Sequence, residues 1–172
     1  MGGSFLKVDG LDKTLARFDV KKYEPQIQQC FDKFGLRVEL QAKQMAPVDE
    51  GRLKNAIFQE PNKLASTVGC SVNYAAFVEF GTRKFASEYV STLPTDWQVY
   101  AAKSKGSGLG TFDEFLKVLM GWCKRHGISE KAAYPIALKI LRNGSPAQPF
   151  LYPAFIKAKD QLLKDLNDIK IQ

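Results

Sequence analysis

The sequence predicts an α+β fold: a long N-terminal helix packed on a small antiparallel sheet, then a helical-hairpin insertion and a C-terminal helix. Three observations carry that expectation. Apolar residues recur at helical spacing from Ile27 to Met45, two short strand-like segments flank Pro61-Asn62, and helix signals dominate the second half of the chain. The 172 residues suffice for one domain with its own core. We read residues 1–172 as that single domain, carrying a loop and helical-hairpin insertion at about 86–147.

The elements follow in order. Leu11–Phe18 reads as one or two helical turns. Pro25 fits the first turn of the long helix, where its missing N–H costs nothing. Ile27, Phe31, Phe34, Val38 and Met45, joined by Cys30, form the apolar stripe. Gly35 weakens the helix locally, and Ala46 before Pro47 ends it. In Val48-Asp49-Glu50-Gly51-Arg52-Leu53, Asp49 is expected to accept bonds from the following N–H groups, and Gly51 to supply an unusual backbone angle. Segments 56–59 and 67–72 read as a hairpin that reverses at Pro61-Asn62. Tyr74–Phe80 reads as a short helix stopped by Gly81, with Tyr74, Phe77 and Val78 on one face. Phe85–Gly110, with Pro94 and glycines at 106, 108 and 110, reads as an irregular, flexible loop. Thr111 and Glu114 match a capping box, which opens a helix reaching about Arg125. His126-Gly127 breaks that helix, and Ser129 caps a second one ending at Asn143-Gly144. Gln148-Pro149-Phe150-Leu151-Tyr152-Pro153 is an extended link, and Pro153 opens a last helix with Phe155, Leu162, Leu166 and Ile169 inward.

Composition narrows the function classes. Hydrophobic residues make up 45%, which argues against wholesale disorder, and no apolar run approaches the ~20 residues of a membrane span. The start Met1-Gly2-Gly3-Ser4-Phe5-Leu6 lacks a signal-peptide pattern, and Leu6 breaks a myristoylation motif. The net charge of +7 invites nucleic acid as a partner, yet the basic residues are spread along the chain with no basic stripe. Cys30, Cys70 and Cys123 are scattered and read as reduced thiols. No metal or cofactor is implied; the Gly-x-Gly-x-Gly run lacks a preceding strand and a Gly-Lys-Ser/Thr ending.

Two places invite chemistry. A thiol–imidazole dyad could in principle join Cys123 or Cys70 to His126, and Cys123 lies three residues from His126 on one helical face, within reach, but nothing supplies an oxyanion site or an orienting group. Glu79, set between Val78 and Phe80, reads as a partly buried structural carboxylate, a cap or an ion pair with Arg52 or Arg83 as suitable partners. The chain is therefore expected not to be an enzyme.

Three segments, in this order and behind a long helix, carry a resemblance: Ala46-Pro47-Val48-Asp49-Glu50-Gly51-Arg52-Leu53, Asn73-Tyr74-Ala75-Ala76-Phe77-Val78-Glu79-Phe80-Gly81-Thr82, and Gln148-Pro149-Phe150-Leu151-Tyr152-Pro153-Ala154-Phe155. Together they look like the tail-completion, or head–tail joining (minor neck), proteins of long-tailed bacteriophages. Glu50 departs from the threonine usual there. The stretch 117–143 also resembles a segment found in many members, so the resemblance covers about residues 11–170.

The resemblance implies a fold similar to phage tail-terminator proteins and a structural virion protein in the neck, made in the bacterial host's cytoplasm. It implies a homo-oligomeric ring, a hexamer in the virion, between head connector (stopper) and tail tube or tail terminator. Non-specific DNA contact in the bore is implied; catalytic residues are not. Pro47, Asp49, Gly51, Leu53, Tyr74, Phe77, Glu79, Gly81, Thr82, Pro149, Phe150, Leu151 and Pro153 then read as architecture. Asp49 and Gly51 shape the turn, Tyr74, Phe77 and Phe80 pack the short helix on the sheet, and Phe150, Leu151 and Phe155 anchor the last helix. Contacts to ring neighbours or to the tail tube are expected in the 86–110 loop and the helical hairpin. The alternative from another class is a small cytosolic nucleic-acid-binding module.

Overall fold

Helix α1, Val20–Met45, runs 26 residues and supplies one wall of the core. A computed structural model describes residues 20–104 and 111–169; the Leu11–Phe18 segment and glycines 106, 108 and 110 lie outside them. Pro25 is the sixth residue of α1 rather than its opener. Tyr23, buried upstream of it, gives the helix a reason to begin earlier than the proline signal implies. The helix ends at Met45, as the Ala46-Pro47 pair dictates.

After the short helix α2, Arg52–Asn55, strands β1 (Ile57–Asn62) and β2 (Ala65–Cys70) pair antiparallel from Ile57↔Cys70 to Asn62↔Ala65. The reversal therefore falls at Lys63-Leu64, two residues beyond the expected Pro61-Asn62. Leu64 takes the left-handed conformation (φ 52°), and its N–H donates to Gln28 Oε1 of α1 at 2.6 Å, which holds this tight turn against the helix. Both strands are sheet edges, so Pro61 is tolerated within β1.

Gly35 belongs to this junction. A Cβ there would run into the Ser66 hydroxyl and lie 2.8 Å from Gln59 Cγ, so glycine lets α1 sit directly on the hairpin. Beyond the sheet, α3 is Ala75–Phe80. The stretch expected to be irregular instead forms α4 (Arg83–Val90) and α5 (Thr95–Lys103), with Pro94 at the N-cap of α5. Phe85/Tyr89 and Trp97/Ala101 stand at i,i+4, a spacing too brief to outweigh the intervening Ser, Thr and Pro in a sequence reading.

Helices α6 (Phe112–Arg125) and α7 (Ala133–Asn143) form the hairpin, joined through a 3-10 turn at Glu130–Ala132. The Thr111–Glu114 capping box is present in both directions. Ser129 precedes the 3-10 turn, but its side chain makes no capping bond. Gly144 ends α7 at φ 85°. The last helix, α8, spans Leu151–Asn167 and makes the most extensive helix–helix contact of the fold, with α1. Pro153 is its third residue, not its first.

The main core lies between α1, α8 and the hairpin. Phe34, Val38, Ala42, Leu53, Ile57, Phe150, Ala154 and Ala158 are buried there. Alanines at 42, 154 and 158 bring the two helix backbones close, while Phe34 and Phe155 meet edge-to-face at 5.6 Å. A second cluster of Phe80, Leu93 and Ala101, with Trp97 and Tyr152 against it, seats α3 to α5 on α8. The architecture is mixed α+β, with a long leading helix and a two-stranded sheet. No described helix is long and apolar enough to cross a membrane.

Candidate functional site

The second and third sequence segments meet at the start of α8, and the first reaches them through Leu53 in the main core. Glu79, on the last turn of α3, is 2% exposed. Its Oε2 accepts the N–H groups of Phe150 (2.7 Å) and Leu151 (2.8 Å), and Oε1 accepts that of Tyr152 (2.9 Å). A helix begins with four N–H groups that lack intrahelical acceptors. Here Phe150, Leu151 and Tyr152 bond to Glu79, and the fourth position is Pro153, which has no N–H to satisfy. One carboxylate and one proline thus account for the whole first turn, and the carboxylate faces the positive end of the helix dipole.

Of the two expected roles for Glu79, cap and ion pair, the structure shows the cap: backbone amides are the partners, not Arg52 or Arg83, and Arg52 bonds Glu50 at 2.8 Å. A cap serves a buried position better, because no guanidinium has to be desolvated. Burial pushes the Glu79 carboxyl above its ordinary range, and the amides of Leu151, Phe150 and Tyr152 draw it partway back. Nearby, Tyr89 is pushed up to about 12, first by burial and then by the charge of Glu79.

Thr82 and Gly81 complete the joint. Thr82 N–H donates to the Ser145 carbonyl at 2.9 Å, and Ser145 N–H donates to Thr82 Oγ1 at 2.7 Å. Gln148 N–H donates to the Val78 carbonyl at 2.8 Å. Gly81 (φ 73°) has no room for a side chain, since a Cβ would lie 2.8 Å from Ala147 N and from Ser145 O. Pro149 precedes the buried Phe150, and Leu151 packs against the main core.

Tyr74 and Phe77 depart from their expected role. They are 43% and 39% exposed, and the buried face of α3 is Glu79 and Phe80 instead. Phe80 packs into the second cluster, under α5, rather than on the sheet. Val78 of the expected face does pack against the main core, while Glu79 and Phe80 turn the aromatic rings of Tyr74 and Phe77 toward solvent.

In the first segment, Gly51 adopts φ 78° and stands at the N-cap of α2, while Leu53 is buried in the main core. Pro47 borders a cleft of about 590 Å³ between this turn and α6, shared with Val48, Tyr74, Val118 and Trp122. Asp49 makes no cap, correcting the expectation of an Asx turn or N-cap. It receives Arg125 from α6 instead, through Nε (3.1 Å) and Nη2 (2.5 Å), and Arg125 Nη1 reaches Glu50 at 3.0 Å. A fork-shaped cation offers better geometry than the turn's own amides. The hydrogen bond from Arg125 holds the Asp49 carboxyl below its usual range.

No dyad forms at Cys123 and His126. Cys123 is fully buried, and the imidazole stacks on Trp122 at 4.4 Å with Nδ1 2.9 Å from the Trp122 carbonyl. All three cysteines are unpaired. Among the described residues, no cluster of His, Cys, Asp or Glu could hold a metal ion.

No family model, curated protein or solved structure matches the chain. The geometry is structural: the Glu79 cap and the Gln148–Val78 bond join the second and third segments, Leu53 and Phe150 share the main core, and Arg125 of α6 clamps Asp49 and Glu50.

Proposed function

We propose that this protein is a structural, non-enzymatic subunit of a ring at the head–tail joint of a long-tailed bacteriophage. The reading rests on the resemblance of the three segments to tail-completion proteins. One observation supports it above the rest: each of the three segments contributes a residue buried in holding the fold together, Leu53, Glu79 and Phe150. A scaffold of that kind fits a ring part, which must present fixed surfaces to its neighbours so that their rotation closes.

In this proposal the fold is that of tail-terminator-like proteins, and copies of the chain form a ring, a hexamer in the virion. The ring joins head connector to tail tube, and the genome passes through its bore. The expected neighbour-facing loop at 86–104 is helical here, so contacts of α4 and α5 take its place in the proposal. Scattered lysines touch DNA phosphates without reading sequence, which predicts weak, salt-sensitive DNA binding.

The deciding experiment is electron microscopy of lysates from a phage with an early stop codon in this gene. DNA-filled heads beside separate, unjoined tails are the expected result. Complete infectious virions would remove the protein from the neck. A sequence-selective DNA or RNA preference in a binding assay would favour the alternative, a nucleic-acid-binding module.

A further inference from the structure

The hairpin α6–α7 is attached to the rest of the molecule in an uneven way. Its two helices pack chiefly on each other: Cys123, Ala133 and Ala137 are buried between them, and Phe112 meets Tyr134 at 5.9 Å. At its root, Ser145 exchanges backbone and side-chain hydrogen bonds with Thr82, and Gly144 lies so close to the Thr82 carbonyl that a Cβ would collide with it. At its tip, Arg125 bonds Asp49 and Glu50 of the turn after α1.

Between root and tip the walls stand apart. The cleft of about 590 Å³ separates α6 from the turn, and the valines that face it from either side, Val118 and Val48, are 69% and 63% exposed. These two valines therefore add little apolar packing across the cleft. The clamp itself is open to water, since the side chains of Arg125, Asp49 and Glu50 are 39%, 37% and 38% exposed.

We propose that the hairpin is an arm hinged at Thr82–Ser145 and latched by Arg125, so that screening of charge releases its tip from the turn. The latch consists of Arg125 shared between Asp49 and Glu50, the second of which also bonds Arg52, and exposed charges lose most of their attraction when salt shortens the screening length. The device is independent of whether the protein joins heads to tails.

Hydrogen exchange on the full chain tests it. Raising NaCl from about 0.05 M to about 1 M shortens the Debye length from over 10 Å to about 3 Å. Amides of 112–143 should then exchange about two- to fivefold faster, the range expected for an exposed ion-pair network, while those of α1 and α8 hold their rates. Arg125→Gln should produce the same arm-specific acceleration at low salt and remove the further response to salt. Arm exchange that responds to neither change, or to only one of them, overturns the proposal. So does an acceleration shared equally by α1 and α8, which would make the ion pair a general stabiliser and not a latch.

Discussion

Glu79 and Phe150 are 71 residues apart in sequence, and the buried carboxylate of the first accepts the backbone N–H of the second at 2.7 Å. Replacing Glu79 by Gln keeps the shape but turns one acceptor into a donor. Whichever way the amide points, at least one helix N–H then meets an N–H. Glu79→Gln should destabilise the protein by about 2–4 kcal/mol, read from the urea unfolding midpoint. An unchanged midpoint would mean that the first turn of α8 does not depend on this cap.

Gly35 offers a test of sign. In an open helix, Gly→Ala stabilises by about 1 kcal/mol. Here the new methyl meets the Ser66 hydroxyl and the Gln59 side chain, so Gly35→Ala should lower stability by about 1–3 kcal/mol. Thermal unfolding followed by circular dichroism gives the answer, and a gain in Tm would show that α1 does not sit tight on the hairpin.

Phe150 is 1% exposed and belongs to the main core together with residues of α1, α2 and β1. Its truncation to Ala leaves a cavity between three elements and should cost about 3–5 kcal/mol. Guanidinium denaturation should show the lower midpoint with an unchanged slope; a loss below about 1 kcal/mol would place Phe150 outside the core.

The Arg125 clamp gives a pH dependence. The folded-state pKa of Asp49 lies below its ordinary 3.8, so the pairing stabilises the fold above that value and is lost as pH falls through the lower folded pKa. The difference in unfolding midpoint between the unaltered protein and Arg125→Gln should be constant near neutral pH and should vanish in acid once pH has fallen through the lowered Asp49 pKa. A difference that persists there would point to packing by the arginine stem instead of its charge.

What the sequence made legible was local. Thr111 and Glu114 sit three residues apart, and both capping bonds follow from that spacing alone. Gly51 and Gly81 were legible for the same reason, since each turn needs a positive φ where it stands. The stripe on α1 was long enough to average out its exceptions. The partner of Glu79 was not legible, because amides carry no sequence signature and these lie on another helix. Residues 83–103 hold two helices of about two turns each, and windows that short are outvoted by their Ser, Thr and Pro. Asp49 looked like a cap because asparagine and aspartate usually serve their own turn; only the folded chain brings Arg125 to it.

The pairing of α1 with α8 has a consequence for how the chain emerges from a ribosome. Phe34, Val38 and Ala42 leave the exit tunnel more than a hundred residues ahead of Phe150, Ala154 and Ala158, which cover them. At about 5–20 residues per second, the apolar flank of α1 waits on the order of ten seconds for its partner. During that interval the β-hairpin is the nearest shelter available, and the close seat that Gly35 provides lets the nascent helix use it before synthesis is complete.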